Sequence, residues 1–174
     1  MADDRCRVFF ALWPDGALRD VLAADAGQLP AARPIARDQL HITLLFLGVV
    51  TSAQRACLLD GAAAIRSPAC ELTLDSIGYW RRSQILWRGA RQTPPALLQL
   101  VDALHRLAQG CGVEVGTRPF QVHMTLARRV ERRPRWVPPV SVTWPVRHFV
   151  LVESMLVPQR GSPYRLCGRW ALLG

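Results

Sequence analysis

The sequence contains no lysine: all 22 of its basic residues are arginine, and 13 acidic residues leave a formal net charge of +9. Arginine pairs with phosphate through a planar two-donor fork and keeps its charge at every accessible pH. The surplus therefore points to phosphate-bearing partners, RNA or DNA before a membrane. A compositional bias of the genome would also replace lysine with arginine, so the net charge carries more weight than the choice of cation. Long hydrophobic runs are missing too. No stretch approaches the roughly 18 apolar residues of a membrane span, and Met1-Ala2-Asp3-Asp4 lacks the basic segment of a signal peptide, so a cytoplasmic location is expected. The five cysteines (Cys6, Cys57, Cys70, Cys111, Cys167) are odd in number and form no C-x-x-C pair. Neither a disulfide framework nor a zinc knuckle follows from that spacing, and buried free thiols are expected. No carboxylate or Cys/His cluster has ligand spacing, so neither a metal nor a cofactor is expected.

What is present suits a globular protein. The 174 residues are 50% apolar and 20% charged, with a mean hydropathy of +0.10, enough for a packed core and for one domain over residues 1–174. Val8 to Trp13 reads as a first strand closed by Pro14-Asp15-Gly16, and Leu18, Val21, Leu22 and Ala24 as a helix that ends in the Pro30 and Pro34 region. His41 to Leu47 reads as a central strand stopping at Gly48. Thr51-Ser52 caps a helix running to Ile65. Glu71 to Ile77 and Gln84 to Trp87 form a hairpin candidate joined through Gly78-Tyr79-Trp80-Arg81-Arg82. Pro94-Pro95 opens a strongly striped helix with Leu97, Leu100, Val101, Leu104 and Ala108 on one side and Gly110 at its end. A strand over Val122 to Val130 follows. Beyond the Pro134, Pro138 and Pro139 stretch, two more strands run from Arg147 to Val157 and from Tyr164 to Leu172. Loose alternation with hairpins favours an α+β fold with antiparallel sheet. Neither G-x-G-x-x-G nor a P-loop is present to suggest a parallel nucleotide-binding fold.

One short repeat carries chemistry. His41-Ile42-Thr43-Leu44 recurs as His123-Met124-Thr125-Leu126, 82 positions later. In a strand, His and Thr at i and i+2 point the same way, about 7 Å apart, while the apolar residues turn inward. A lone H-x-T is usually structural, but two facing copies offer an acid, a base and two hydroxyl donors around one small anion. That set matches in-line displacement at phosphorus: a base takes the proton of the attacking water and an acid protonates the leaving alkoxide. Imidazoles titrate near pH 6.5 and can do both without a metal. The hydroxyls of Thr43 and Thr125 can hydrogen-bond the non-bridging oxygens. His105, on a helix, and His148, in an apolar strand, read as structural.

The paired H-x-T-L motifs resemble those of the two-histidine phosphoesterases, and the wider sequence resembles their bacterial RNA 2',3'-cyclic phosphodiesterase branch, the LigT-like proteins once called 2'-5' RNA ligases. The similarity runs through Arg7-Val8-Phe9-Phe10-Ala11-Leu12, His41 to Gly48, Arg118-Pro119-Phe120-Gln121-Val122-His123-Met124-Thr125-Leu126, and the tail from Glu153-Ser154 through Gly161, Tyr164, Arg169, Trp170, Ala171 and Leu172. Val122 stands where that family often has proline. The resemblance implies a two-lobed α+β fold with pseudo-twofold antiparallel sheets, flanking helices and a central groove. It implies hydrolysis of an RNA terminal 2',3'-cyclic phosphate to a 2'-phosphomonoester, with His41 as acid and His123 as base, a ranking that spacing alone does not give. Positive charge from Arg128 and Arg129 would help keep His123 neutral. The resemblance selects Arg128 as the phosphate-binding arginine whereas strict alternation selects Arg129, so a strand end or bulge is expected there. Phe9 is a candidate platform for a base, and Tyr164 a candidate substrate contact. The expected partners are RNA with 2',3'-cyclic phosphate ends or 2',3'-cyclic nucleotides, met by a monomer without a membrane. Ligation, action on small cyclic nucleotides, and RNA binding without turnover are the alternatives.

Overall fold

A computed structural model describes residues 5–27, 33–133, 135, 141–159 and 162–174. Pro30, the Pro134, Pro138 and Pro139 stretch and Gly161 lie outside them. The chain runs β1 (Cys6–Leu12), α1 (Gly16–Gly27), β2 (Arg33–Pro34), a short 3-10 turn (Arg37–Gln39), β3 (Ile42–Val50) and α2 (Ser52–Ala64). It continues with β4 (Cys70–Leu74), β5 (Ser76–Trp80), β6 (Ile85–Gly89), α3 (Pro95–Gly110), β7 (His123–Arg128), β8 (Val142–Val146), β9 (His148–Gln159) and β10 (Ser162–Ala171). This is a mixed α+β fold with antiparallel sheets and, among the described residues, three α-helices.

The helix termini follow local chemistry. Thr51 and Gln54 form a reciprocal capping box at the start of α2, and Pro95 opens α3 where a missing N–H leaves no helical bond unmade. The main sheet has the order β10-β9-β1-β3-β7-β6-β5, with β2 beside β7. Its two halves meet at one residue pair, Ile42 on β3 opposite Met124 on β7. Each helix preceding a motif strand packs behind the other motif: α1 against β7 and α3 against β3. That exchange ties the halves together across the seam. The main core lies on this helical face, including Phe10, Ile42, Leu104, Met124 and Phe149. A small second cluster of Phe9, Ala11, Val150 and Val152 lies apart from it, with Trp13 and Tyr164 packed beside it. No helix among the described residues is long and apolar enough to cross a membrane.

Three expectations are corrected. The Glu71 to Ile77 run is not one strand of a hairpin: β4 pairs with β8 in a separate two-stranded sheet, and the hairpin is β5 with β6. Its turn lies at residues 81–84, not at Gly78, because Gly78 is a strand residue opposite Trp87. A Cβ at Gly78 would come within 1.9 Å of the Trp87 ring, so glycine there makes room for an indole rather than for a bend. The thiols are not all free either: Cys57 and Cys111 form a disulfide across a sequence separation of 54. Cys6, Cys70 and Cys167 are free, and of these only Cys6 is buried.

Candidate active site

The single Ile42–Met124 pair sets the geometry of the site. Residues directly opposite on antiparallel strands share a face, so continuing this register places His41 beside Thr125 and Thr43 beside His123. Ile42 and Met124 are fully buried on the other side, while all four polar side chains are half-buried and line one cavity of about 530 Å³. The twofold relation of the motifs thus lies in the backbone pairing itself.

The fourth residue of each motif matters as well. In the pairing of β3 with β1, Thr43 faces Ala11 and Leu45 faces Phe10, so Leu44 is an extra residue. In the pairing of β7 with β6, Thr125 faces Trp87 and Ala127 faces Leu86, so Leu126 is extra in the same way. Each bulge turns two consecutive residues inward, Leu44-Leu45 and Leu126-Ala127, all 6% exposed or less. The next residue then returns to the cavity face: Phe46 in the first motif and Arg128 in the second, both lining the cavity. The bulge decides between the arginines. Arg128 ends the strand on the cavity side, whereas Arg129 follows with φ 55° and is not among the lining residues.

The two imidazoles are held alike. Nδ1 of His41 lies 2.6 Å from the Gln39 carbonyl and Nδ1 of His123 lies 2.9 Å from the Gln121 carbonyl. A carbonyl only accepts, so each Nδ1 carries a proton and the neutral rings have Nε2 free to accept one. The repeat is in fact six residues long, Gln39 to Leu44 and Gln121 to Leu126 with apolar residues between, and four positions had drawn the sequence reading.

Their surroundings differ. His41 is stacked on Trp13 at 5.4 Å, tilted on Phe9 at 5.1 Å and met edge-on by Tyr164 at 5.3 Å. Burial drives its pKa down to about 4; the Gln39 carbonyl opposes this, and His123, Arg19 and Arg128 push it further down. His123 is met by the edge of Trp80 at 4.7 Å and lies 6.4 Å from Trp87. Its pKa is also lowered, by burial against the opposing Gln121 carbonyl. The expectation that Arg128 and Arg129 hold His123 neutral is therefore corrected: burial does so, and Arg128 acts on His41 instead.

Phe9 is 4% exposed and packs against His41 and Tyr164, so its ring supports the histidine and has little face left for a base. Ring area facing the cavity comes instead from Phe46, 48% exposed, and from Trp80, neither of which the sequence had nominated. Tyr164 lines the cavity. His148 stands away from it, with Nε2 donating to the Trp13 carbonyl at 3.2 Å and Arg169 donating to Nδ1. It braces the indole on which His41 stacks. His105 lies on the wall of a neighbouring cavity of about 620 Å³ with Arg118 and Phe120, which adjoins the first at Thr43, Phe46, Trp80 and His123. Among the described residues no group of three His, Cys, Asp or Glu side chains is placed to hold a metal ion.

Comparison with known proteins places the chain in a family. The model of the 2'-5' RNA ligase superfamily matches residues 16–154. The chain belongs to that superfamily. It is 37% identical over 171 residues to a protein of Escherichia coli K12 named RNA 2',3'-cyclic phosphodiesterase, covering 95% of this chain and 96% of the relative. A Thermus thermophilus protein of the same name is 30% identical, covering 97% of this chain and 91% of the relative. The crystal structure of E. coli LigT in apo form superposes with a TM-score of 0.86 at 37% identity, covering 98% of this chain and 99% of that one. LigT complexed with 3'-AMP matches at 0.85 and 36% identity, over 97% and 99% of the two chains.

Proposed function

We propose that this superfamily member hydrolyses the terminal 2',3'-cyclic phosphate of RNA to a 2'-phosphomonoester, using His41 and His123 without a metal. The observation that carries the reading is the pair of imidazoles, each with Nδ1 bonded to a carbonyl two residues earlier and Nε2 left for chemistry, across a cavity they share with two threonines. The names of the curated relatives support the same activity.

In the proposed step, His123 Nε2 takes a proton from water as the water oxygen bonds to phosphorus. The bond from phosphorus to O3' breaks on the opposite side, and O3' takes a proton from His41 Nε2. Thr43 and Thr125 hydrogen-bond the non-bridging oxygens, where charge accumulates, and Arg128 pairs with the same charge. Tyr164 and Phe9 keep His41 aimed. His41 must be protonated in the complex although its burial favours the neutral ring; the phosphate anion supplies the opposing field and draws the proton onto it. The proposal includes one domain over residues 1–174, a monomer, working in the cytoplasm in RNA processing.

The test is turnover of a cyclic-ended oligoribonucleotide, followed by phosphorus NMR. His41→Ala and His123→Ala should each lower turnover roughly 10² to 10⁴-fold. Because both act in one displacement, the double variant should be little worse than the poorer single one. On a nitrophenyl phosphodiester, whose leaving group needs no proton, His41→Ala should recover and His123→Ala should not. Recovery of His123→Ala instead would reverse the roles. RNA binding with no release of cyclic phosphate by the wild type would leave a binding module in place of an enzyme.

A further inference from the structure

The cavity extends past the two histidines along β1. Arg7 and Phe9 are two residues apart on that strand and share its cavity face, about 7 Å from each other. Phe9 lies against His41, so Arg7 stands one strand step further from the reacting phosphate. In register it is flanked by Val49 on β3 and Ser154 on β9, and its guanidinium lies 5.0 Å from the centroid of the Phe46 ring.

Two features of this corner face the cavity together. Arg37, Arg55, Arg88 and Arg165 each face an aspartate or glutamate. Arg7 forms no such pair among the described residues, although it lines a cavity holding both histidines. Phe46 is 48% exposed in a central strand, and the Leu44 bulge is what turns it outward. An exposed ring beside a guanidinium without a counter-ion offers a stacking face and an anion site together, the two chemistries by which single-stranded nucleic acid is held.

The direction of the reaction identifies the nucleotide. With the roles proposed above, O3' leaves toward His41, so the terminal ribose would lie on the His41 side of phosphorus, and Arg7, one step beyond Phe9 along β1, is placed to meet the upstream strand. We propose that Arg7 and Phe46 form a subsite for the penultimate nucleotide of RNA, Arg7 binding the phosphodiester that joins it to the terminal nucleotide and Phe46 stacking on its base. This inference rests on the cyclic phosphodiesterase reading above. It makes the protein prefer polynucleotide ends to free cyclic mononucleotides.

The test compares kcat/KM for adenosine 2',3'-cyclic phosphate with that for a diadenosine dinucleotide ending in the same cyclic phosphate, which adds one phosphodiester and one base. Arg7→Gln should lower the dinucleotide-to-mononucleotide ratio about tenfold, chiefly through KM of the dinucleotide. Arg7→Lys should keep part of the preference, and Phe46→Leu should also lower the ratio. A folding defect lowers both rates and leaves the ratio unchanged, so the ratio reads the subsite. A ratio within twofold of wild type in Arg7→Gln overturns the subsite while leaving the activity intact. Turnover of neither substrate by the wild type overturns the activity, and the subsite with it.

Discussion

The chemistry of His41 is set by what surrounds one ring. Trp13 and Phe9 take water away from it, and Arg19 lies 4.8 Å from the Trp13 ring it caps, adding positive charge behind the indole. With a pKa of about 4, roughly one His41 in a thousand is protonated at neutral pH in the protein alone. An anion against Nε2 acts in the opposite sense and stabilises the imidazolium. Proton NMR should therefore show His41 titrating far below 6.5 in the protein alone and moving upward when 2'-AMP or inorganic phosphate is bound. Arg19→Gln removes a positive neighbour and should raise the value without ligand. A His41 midpoint at or above 6.5 in the protein alone would contradict this account of the site. The same depression has a consequence for folding: the unfolded chain binds this proton first, so the stability it contributes is complete above pH 6.5 and is lost as pH falls towards 4. Of this residue, the sequence singled out the position but not the surroundings. Trp13, Trp80 and Phe46 meet the motif through sheet pairing and bulges that have no local signature, whereas H-x-T-L is short, repeated and contiguous.

Among the elements, strands and helices were legible wherever apolar spacing was regular, as in β3, α3 and β9. They were misread where one residue served a distant partner. Gly78 resembles a turn signal, yet it sits in β5 because the Trp87 indole occupies the space of its missing side chain. Strand β8 was hidden by Pro145, which a two-stranded sheet tolerates because each strand has a free edge. The Cys57–Cys111 bond had no sequence signal at all, since the two cysteines are brought together only by the packing of α2 on α3. It also tethers the start of the segment that leads to Gln121 and His123. Closing 54 residues restricts the unfolded chain by about 4 kcal/mol in the chain-entropy model, which corresponds to roughly 10 °C in melting temperature for a chain of this size. Thiol titration under denaturing conditions should find three free thiols before reduction and five after. Reduction, or Cys57→Ser, should lower the melting temperature by that order. Five reactive thiols in unreduced protein would remove the bond from the account.

At the scale of the whole molecule, the question is whether the net charge of +9 is a binding track or a compositional habit. The site favours the first on geometry. Arg7 and Arg128 line the cavity that holds both histidines, and Arg118 lines the cavity that adjoins it across Phe46, Trp80 and His123, so positive charge is spread along a path longer than one nucleotide. Each phosphate neutralised on a single strand releases about 0.7 of a counterion, and the slope of log affinity against log salt counts those contacts. A mononucleotide can engage only the charge at the reacting phosphate. An eight-nucleotide cyclic-ended RNA that follows the path should give a slope roughly three times steeper, from about −0.7 towards −2. His123→Ala protein, in which turnover is expected to be slowed roughly 10² to 10⁴-fold, is the form in which to measure both. If the two slopes are equal, the surplus arginines outside the cavity of the two histidines contribute solubility and long-range attraction, and RNA would be recognised at its cyclic end alone. If the oligonucleotide slope is steeper and Arg118→Gln reduces it by about 0.7, the adjoining cavity holds part of the upstream strand as well.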